Sequence, residues 1–164
     1  LMIVKKGWRI LKGKIKVLVA DDMEIIVRNM KSVIEKNPKV ERVDSAFNGE
    51  DEINAILNLR PDIVFTDMQM PKKTGLEVIE EIMTNNSIEK KPQFILVTAD
   101  RDSSLIIRSS ELGFYIEYKP ISAERINEYI DNFTDLKEEK EDNQKDLGNK
   151  KKEMFLIKLF KSLR

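Results

Sequence analysis

Short runs of β-forming residues alternate with amphipathic segments through the middle of the chain. The segments that follow the runs repeat apolar residues every three or four positions, which is typical of helices packed on one side. The predicted strands are Ile15–Ala20, Val40–Ala46, Ile63–Thr66, Phe94–Val97 and Phe114–Tyr118. This alternation predicts an α/β protein with a parallel sheet, right-handed crossovers and helices on both faces.

Turn-forming residues separate the predicted elements. Asn37-Pro38 ends the first helix, Asn48-Gly49 predicts a turn after the second strand, and Gly113 ends the fourth helix. The run Ile63–Thr66 is an unbroken series of β-forming residues, which is typical of a strand covered on both faces. The sheet is therefore predicted to lie between two layers of helices.

Four of the predicted strands end in, or are followed by, residues that bind cations or phosphate. These residues are Asp21, Asp22, Asp67, Thr98 and Lys119. The carboxyl ends of parallel strands lie at one edge of the sheet, which is where α/β proteins keep their ligand sites. Three carboxylates, a hydroxyl and an ammonium group at one edge suit a divalent cation together with a phosphoryl group.

Each of these groups has a simpler explanation when it is taken alone. The adjacent Asp21-Asp22 pair fits a loop or a helix N-cap. Lys119-Pro120 fits a strand-to-helix turn, or a cis peptide bond that would direct the lysine inward. The combination favours a functional site, because Lys119 can pair with Asp67 and later with a phosphoryl oxygen.

The residue composition limits which nucleophiles, bases and metal ligands the chain can offer. The 164 residues are 41% hydrophobic and 35% charged, which is typical of a globular protein, and no apolar run is long enough to span a membrane. The chain contains no cysteine and no histidine, so it has no thiolate and no imidazole to act as nucleophile, base or ligand. A site made only of oxygen ligands suits Mg²⁺ or Mn²⁺ better than Zn²⁺.

The formal net charge of zero hides an uneven distribution. Residues 1–16 carry six basic and no acidic groups, residues 150–164 carry a net charge of +5, and residues 17–149 carry −11. The acidic body is not expected to bind nucleic acid directly, because phosphate contacts need clustered Lys and Arg.

Four segments together resemble the receiver domain of two-component response regulators, of the chemotaxis type. They are Ile15–Asp22, Asp67–Pro71 followed by Gly75, Val97–Ala99, and Lys119-Pro120. The resemblance covers about residues 15–135. It implies a flavodoxin-like fold, that is, a doubly wound five-stranded parallel sheet in the order 2-1-3-4-5 with helices on both faces.

The resemblance implies that Asp67 accepts a phosphoryl group from a sensor histidine kinase or a small acyl phosphate. It also implies that Asp21, Asp22 and Asp67, with the backbone carbonyl of Gln69, hold Mg²⁺. This agrees with in-line attack by a carboxylate, because a cation neutralises charge on the phosphoryl oxygens. Such a protein would catalyse only its own phosphorylation and dephosphorylation, in the cytoplasm.

By the same resemblance, Thr98 and Lys119 would bind the phosphoryl group and carry the conformational switch. The new charge would draw Thr98 inward and repack the last helices and strand. Gln69 and Asp100 would flank the site at the positions where members of the family tune the rate of dephosphorylation.

One position departs from the family pattern. The family usually has an aromatic residue three positions before the lysine, and here that position is Ile116. The spacing from Gly113 to Lys119 is also one residue short. Either Tyr115 substitutes for the aromatic residue, or the switch lacks it.

Three further segments flank the predicted receiver. Residues 1–14 are a basic N-terminal arm, residues 136–153 are either a charged linker or an extension of the last helix, and residues 154–164 are a basic amphipathic tail. Residues 136–164 are too few for a winged-helix DNA-binding domain. We therefore expect either a stand-alone receiver that acts through a downstream protein, or a truncated regulator that lacks its effector domain.

Two other functions fit parts of the pattern. A magnesium-dependent phosphohydrolase would also form an aspartyl phosphate, but such enzymes generally have a second acid two residues after the nucleophile, where Gln69 stands. A degenerate receiver is disfavoured, because every expected residue type is present. The receiver is therefore the prediction, and the cognate kinase, the signal, the output and a phosphorylation-linked homodimer are left open.

Overall fold

The computed structural model describes residues 13–162, with the backbone alone at residues 138, 141, 145, 146 and 148–162. Nearly all of the predicted N-terminal arm (residues 1–14) and the side chains of the predicted basic tail (residues 154–164) lie outside the described residues.

Strands and helices alternate along the described chain. They are β1 Ile15–Ala20, α1 Glu24–Ile34, β2 Val40–Ala46, α2 Gly49–Leu59, β3 Ile63–Asp67, α3 Gly75–Thr84, β4 Gln93–Thr98, α4 Ser104–Leu112, β5 Tyr115–Tyr118 and α5 Ala123–Ser162. The strands form one parallel sheet in the order β2-β1-β3-β4-β5. The predicted fold class and strand order are confirmed.

The central strand β3 is buried at every position, because helices cover both faces of the sheet. On one face, Val64 belongs to a buried cluster that includes Ile56 of α2 and Ile79 of α3. On the other face, the Phe65 ring contacts the Tyr129 ring of α5 edge to face, with 6.1 Å between centroids. This two-sided burial explains why the segment has no polar side in the sequence.

Local signals set the helix ends near the carboxyl edge of the sheet. Asn48 caps α2, since its side-chain oxygen accepts a hydrogen bond from the Asp51 N–H at 3.0 Å. Thr74 and Glu77 form a capping box at the start of α3. Gly113 ends α4 in the left-handed conformation, with φ of 75°, which a residue with a side chain rarely adopts.

The chain divides into two compact units, with the boundary between Ile130 and Asp131. The first unit contains the sheet and the helices packed on it. The described part of the second unit is helical backbone as far as Ser162. Within the described residues, no helix combines the length and the apolar character needed to cross a membrane.

Candidate functional site

The predicted site residues lie at the carboxyl edge of the sheet. Asp21 and Asp22 follow β1, Asp67 is the last residue of β3, Thr98 is the last residue of β4, and Lys119 follows β5. Because β1, β3, β4 and β5 are consecutive in the sheet, their carboxyl ends lie side by side. Asp21 and Lys119, 98 positions apart in the sequence, are thereby brought into hydrogen-bonding contact.

Lys119 forms the centre of an ion-pair cluster. Its Nζ lies 2.9 Å from Asp67 Oδ1 and 3.1 Å from Asp21 Oδ2. Asp21 and Asp67 are buried, whereas Asp22 is exposed. One carboxylate oxygen from each of the three acids lies within 4.8 Å of the others. Three carboxylates therefore face a single ammonium group, which leaves negative charge uncompensated within the cluster.

Burial and charge together set the protonation of this cluster. Burial raises the pKa of Asp67; the hydrogen bond and charge of Lys119 oppose this rise, and the Asp21 carboxylate adds to it. Burial disfavours the charged form of Lys119, but hydrogen bonds to Asp67 and Asp21 outweigh it and raise the Lys119 pKa. Lys119 is therefore held as an ammonium ion. Burial and the neighbouring Asp21 carboxylate disfavour the ionised form of Asp67.

The donor set fits a hard divalent cation. Asp21, Asp22 and Asp67 offer only carboxylate oxygens, which are the ligands that Mg²⁺ prefers. The Met23 N–H donates a hydrogen bond to Asp21 Oδ1 at 2.9 Å, which fixes the orientation of that carboxylate. Exposed Asp22 leaves one side of the cluster open to water, and Mg²⁺ usually keeps several water ligands.

Thr98 is tied to both of the segments that follow β4 and β5. The residue is buried, and its Oγ1 accepts a hydrogen bond from the Asp100 N–H at 2.9 Å. Its backbone carbonyl accepts a hydrogen bond from the Lys119 N–H, also at 2.9 Å. Ala99 and Asp100 are exposed, so the approach to Thr98 is lined by a small side chain. The Lys119-Pro120 peptide bond, the predicted candidate for a cis bond, is cis.

The loop after β3 is held close to the end of the strand. Gln69 is exposed, and its backbone N–H donates a hydrogen bond to the Asp67 carboxylate, which lowers the Asp67 pKa against the dominant effect of burial. Gly75 begins α3 so close to β3 that a Cβ there would collide with the Asp67 carbonyl oxygen and the Thr66 hydroxyl. The absence of a side chain at Gly75 thus allows α3 to pack against the end of β3.

A buried acid, which the sequence did not predict, lies next to the site. Glu52 of α2 is 0% exposed, and its Oε2 accepts a hydrogen bond from Thr66 Oγ1 at 2.9 Å. Its Oε1 has no hydrogen-bond partner among the described residues, and burial raises its pKa to about 8 although the Thr66 hydrogen bond lowers it. The helical spacing could have indicated that Glu52 is buried, because it lies four residues before buried Ile56, on the same face of the helix.

The two candidate switch residues lie on opposite faces of the sheet. Ile116 packs against the buried cluster that contains Leu105 of α4. Tyr115, the preceding residue, contacts Tyr129 of α5, with 5.6 Å between the ring centroids, and is 49% exposed. Ile116 is the register partner of Leu96 in β4. The family's aromatic position is thus occupied by a partly buried aliphatic residue here, and Tyr115 lies on the α5 side.

This doubly wound sheet, with acids and a lysine at its carboxyl edge, defines a flavodoxin-like protein with a site suited to phosphate and a cation. Residues 17–131 match the family described as the response regulator receiver domain. Since that match covers most of the sequence and the strand order agrees with it, the chain belongs to the response regulator receiver domain family.

Three known proteins illustrate the similarity. The chain is 31% identical over 116 residues to Transcriptional regulatory protein BtsR of Salmonella typhi, which covers 71% of this chain and 46% of that protein. It is 35% identical over 74 residues to Protein-glutamate methylesterase/protein-glutamine glutaminase 1 of Vibrio cholerae, covering 45% of this chain and 20% of that protein. The crystal structure of the response regulator domain of Thermotoga maritima CheB is similar with a TM-score of 0.64 and 25% identity, over 74% of this chain and 96% of that one.

The chain spans less than half the length of these two curated relatives. The similarity to the methylesterase therefore concerns a short part of that protein, and the structural neighbour in Thermotoga maritima is the response regulator domain alone.

Proposed function

We propose that the protein is a signalling receiver in which Asp67 accepts a phosphoryl group from the phosphohistidine of a sensor histidine kinase, or from a small acyl phosphate. The observation that carries the proposal is the contact between Lys119 Nζ and Asp67 Oδ1 at 2.9 Å, beside two further carboxylates at the end of the central strands. Membership of the receiver family supports it.

The transfer step follows from the chemistry of the residues. A carboxylate oxygen of Asp67 attacks the phosphorus atom, an O–P bond forms, and the N–P bond of the phosphohistidine breaks, so that the leaving imidazole takes up a proton. Lys119, which is already an ammonium ion, exchanges part of its pairing with Asp67 for a phosphoryl oxygen. The Thr98 hydroxyl donates a hydrogen bond to another phosphoryl oxygen.

Asp21, Asp22 and Asp67, with the backbone carbonyl of Gln69, would hold Mg²⁺, and Mn²⁺ shares the preference for oxygen ligands. When bound, the ion supplies positive charge that neutralises the phosphoryl oxygens. The charges of the chain itself support this assignment, because Lys119 alone provides one positive charge against three carboxylates.

Hydrolysis of the aspartyl phosphate by water would return the receiver to its resting state. Gln69 and Asp100 are exposed beside the site, and we propose that they set this rate. The receiver would occupy residues 15–135, and the basic segments at residues 1–14 and 154–164 would serve contacts outside it. The signal would pass to a downstream protein, to an effector domain or to a second copy of the chain, in the cytoplasm, where histidine kinases present their phosphohistidine.

Intact-mass measurement after incubation with acetyl phosphate and Mg²⁺ tests the proposal. We expect the wild type to gain one phosphoryl group and Asp67→Asn to gain none. Asp44→Asn is a matched control, because it makes the same carboxylate-to-amide change in β2 at a residue whose described partner is Arg42. A folded wild-type protein that gains no mass would contradict the proposal, and repeated release of phosphate from simple monoesters would indicate a phosphohydrolase instead.

A further inference from the structure

The outer edge of β2 (Val40–Ala46) offers backbone groups for pairing. The strand lies at one end of the sheet and, within the described residues, pairs with β1 alone. The Ala46 carbonyl oxygen accepts a hydrogen bond from the Asp21 N–H at 3.2 Å, so the backbone polar groups of Ala46 face β1. Alternate residues of a strand bond to the same neighbour, so the N–H and C=O groups of Val43 and Ser45 face outward. An edge of this kind can pair with a strand of another chain.

Two opposite charges lie on one face of this edge strand. Arg42 and Asp44 are two positions apart, so their side chains share a face of the sheet. Arg42 donates hydrogen bonds from Nε and Nη2 to the same oxygen, Asp44 Oδ1, at 2.9 and 2.7 Å. Asp44 Oδ2 and the other N–H groups of the Arg42 guanidinium have no partner within the described residues, and the Arg42 side chain is 58% exposed. Both groups therefore have bonding capacity left for a group of opposite charge.

Charge selects one register for pairing with a second copy of the chain. Val43 is the middle residue of the seven-residue strand, and its backbone groups face outward, so an antiparallel, two-fold symmetric pair centred on Val43 overlaps the whole strand. This register places Arg42 of each copy opposite Asp44 of the other, with about 5 Å between Cβ atoms. Centring the pair on the residue before or after Val43 would place Arg42 opposite Arg42, or Asp44 opposite Asp44. Like charges in direct opposition are destabilising, so the edge is self-complementary in the Val43 register alone of these three.

A bulge limits the extent of this pairing. The register between β1 and β2 shifts between Ile15 and Lys16, which leaves Glu41 as an extra residue in β2. Regular pairing is therefore confined to the centre of the strand, around Val43, and we expect a weak dimer that depends on concentration. The carboxyl ends of the two sheets point in opposite directions in an antiparallel pair, so each Asp67 stays accessible.

We propose that a second copy of this chain pairs with the β2 edge, antiparallel and centred on Val43, so that the two five-stranded sheets become continuous. The two Val43 residues exchange both of their backbone hydrogen bonds. Arg42 of each copy binds Asp44 Oδ2 of the other, which completes a ring of four alternating charges. This pairing needs no phosphoryl group on Asp67 and is independent of the proposed function.

Charge reversal tests the surface and the register together. Sedimentation equilibrium of the full chain, up to millimolar concentration, should show a monomer–dimer equilibrium for the wild type. Arg42→Asp places two acids at the edge and Asp44→Arg places two bases there, so each variant alone should weaken self-association about tenfold or more. A mixture of the two variants should associate again, as should the double variant with both changes. Arg108→Asp, which reverses an arginine paired with Glu80 and Glu111 away from β2, is the matched control and should dimerise as the wild type does.

Amide hydrogen exchange supplies a readout at the backbone. Exchange at the Val43 N–H should slow as the protein concentration rises, because this group is bonded only in the dimer. The Asp44 N–H faces β1 and is the internal control, which should be protected equally at all concentrations. Val43→Pro removes the outward N–H without removing a bond to β1, and should abolish the dimer while the urea midpoint shows a folded protein. If this variant does not fold, the charge variants and the exchange data still decide.

Each outcome supports or overturns the proposal. A wild-type protein that stays monomeric up to millimolar concentration would overturn it, and so would a dimer that persists in Arg42→Asp and in Asp44→Arg, because that dimer uses a different surface. If the mixture associates but the double variant does not, Asp44 lies opposite its own copy and the Val43 register is wrong. Failure of acetyl phosphate to label a dimeric protein would remove the proposed function and leave this inference in place.

Discussion

Replacing Glu52 with glutamine should stabilise the protein at neutral pH. Glu52 is fully buried, its described partner is the Thr66 hydroxyl, and burial raises its pKa from 4.5 to about 8. In the unfolded chain the carboxyl group is ionised above pH 4.5, whereas the folded protein keeps it protonated up to about pH 8. Folding at pH 7 therefore requires the carboxyl group to take up a proton, which costs free energy.

The size of this cost follows from the pKa difference. Each unit corresponds to about 1.4 kcal/mol, so Glu52 lowers the free energy of unfolding by about 3 kcal/mol at pH 7 and by about 5 kcal/mol above pH 8. Because the pKa of Glu52 is higher in the folded protein than in the unfolded chain, its contribution to the free energy of unfolding is most favourable below pH 4.5. This contribution is lost as pH rises to about 8. Glutamine keeps an acceptor for Thr66 and cannot ionise, so this decline should be absent in Glu52→Gln.

Urea denaturation at pH 5, 7 and 9 measures the effect. The advantage of Glu52→Gln over the wild type should grow by about 2 kcal/mol or more between pH 5 and pH 7. Glu41→Gln, the same change at an exposed position of β2, should show no such growth. Any fixed cost of burying the amide group shifts all three values equally and leaves the growth unchanged. An advantage that does not vary with pH would show that Glu52 does not take up a proton on folding.

Three further predictions follow from the contacts at the edge of the sheet. Gly75→Ala should lower the free energy of unfolding by about 1–3 kcal/mol, because its Cβ would collide with the Asp67 carbonyl oxygen and the Thr66 hydroxyl; an unchanged urea midpoint would contradict this. Thr74→Ala removes the capping box of α3 and should cost about 1 kcal/mol, with an unchanged denaturant slope; a wild-type midpoint would rule out this role of the cap. Asp22→Asn should weaken Mg²⁺ binding measured by calorimetry while stability without metal is kept, since Asp22 is exposed, and an unchanged Mg²⁺ affinity would exclude it as a ligand.

The fold could be predicted where apolar runs are bounded by turn-forming residues. β1 and β2 have the predicted bounds for this reason. β3 extends one residue further than predicted, to Asp67, because that residue pairs with Val97 in the ladder. β5 begins one residue later than predicted, at Tyr115, because the Phe114 N–H bonds to Ser109 at the end of α4. Strand ends therefore depend on pairing partners, which residue preferences alone do not specify.

The residues that form the site could be predicted from the sequence, but the ion pairs among them could not. Parallel strand ends share one edge, so the predicted residues had to come close together. That Lys119 contacts Asp21 as well as Asp67 depends on the path of its side chain between two strands. The spacing within α2 places Glu52 on the buried face of the helix, but its hydrogen-bond partner Thr66 belongs to a different element, which no pattern within α2 indicates.

The most direct test of the account is to identify the residue that carries the phosphoryl group. The protein is treated with acetyl phosphate and Mg²⁺ and then with sodium borohydride, which reduces an aspartyl phosphate to homoserine, and peptide mass spectrometry locates the product. We expect homoserine at position 67 alone, and none when Mg²⁺ is chelated beforehand. Homoserine at a different position, or a phosphorylated protein with an unmodified Asp67, would contradict it.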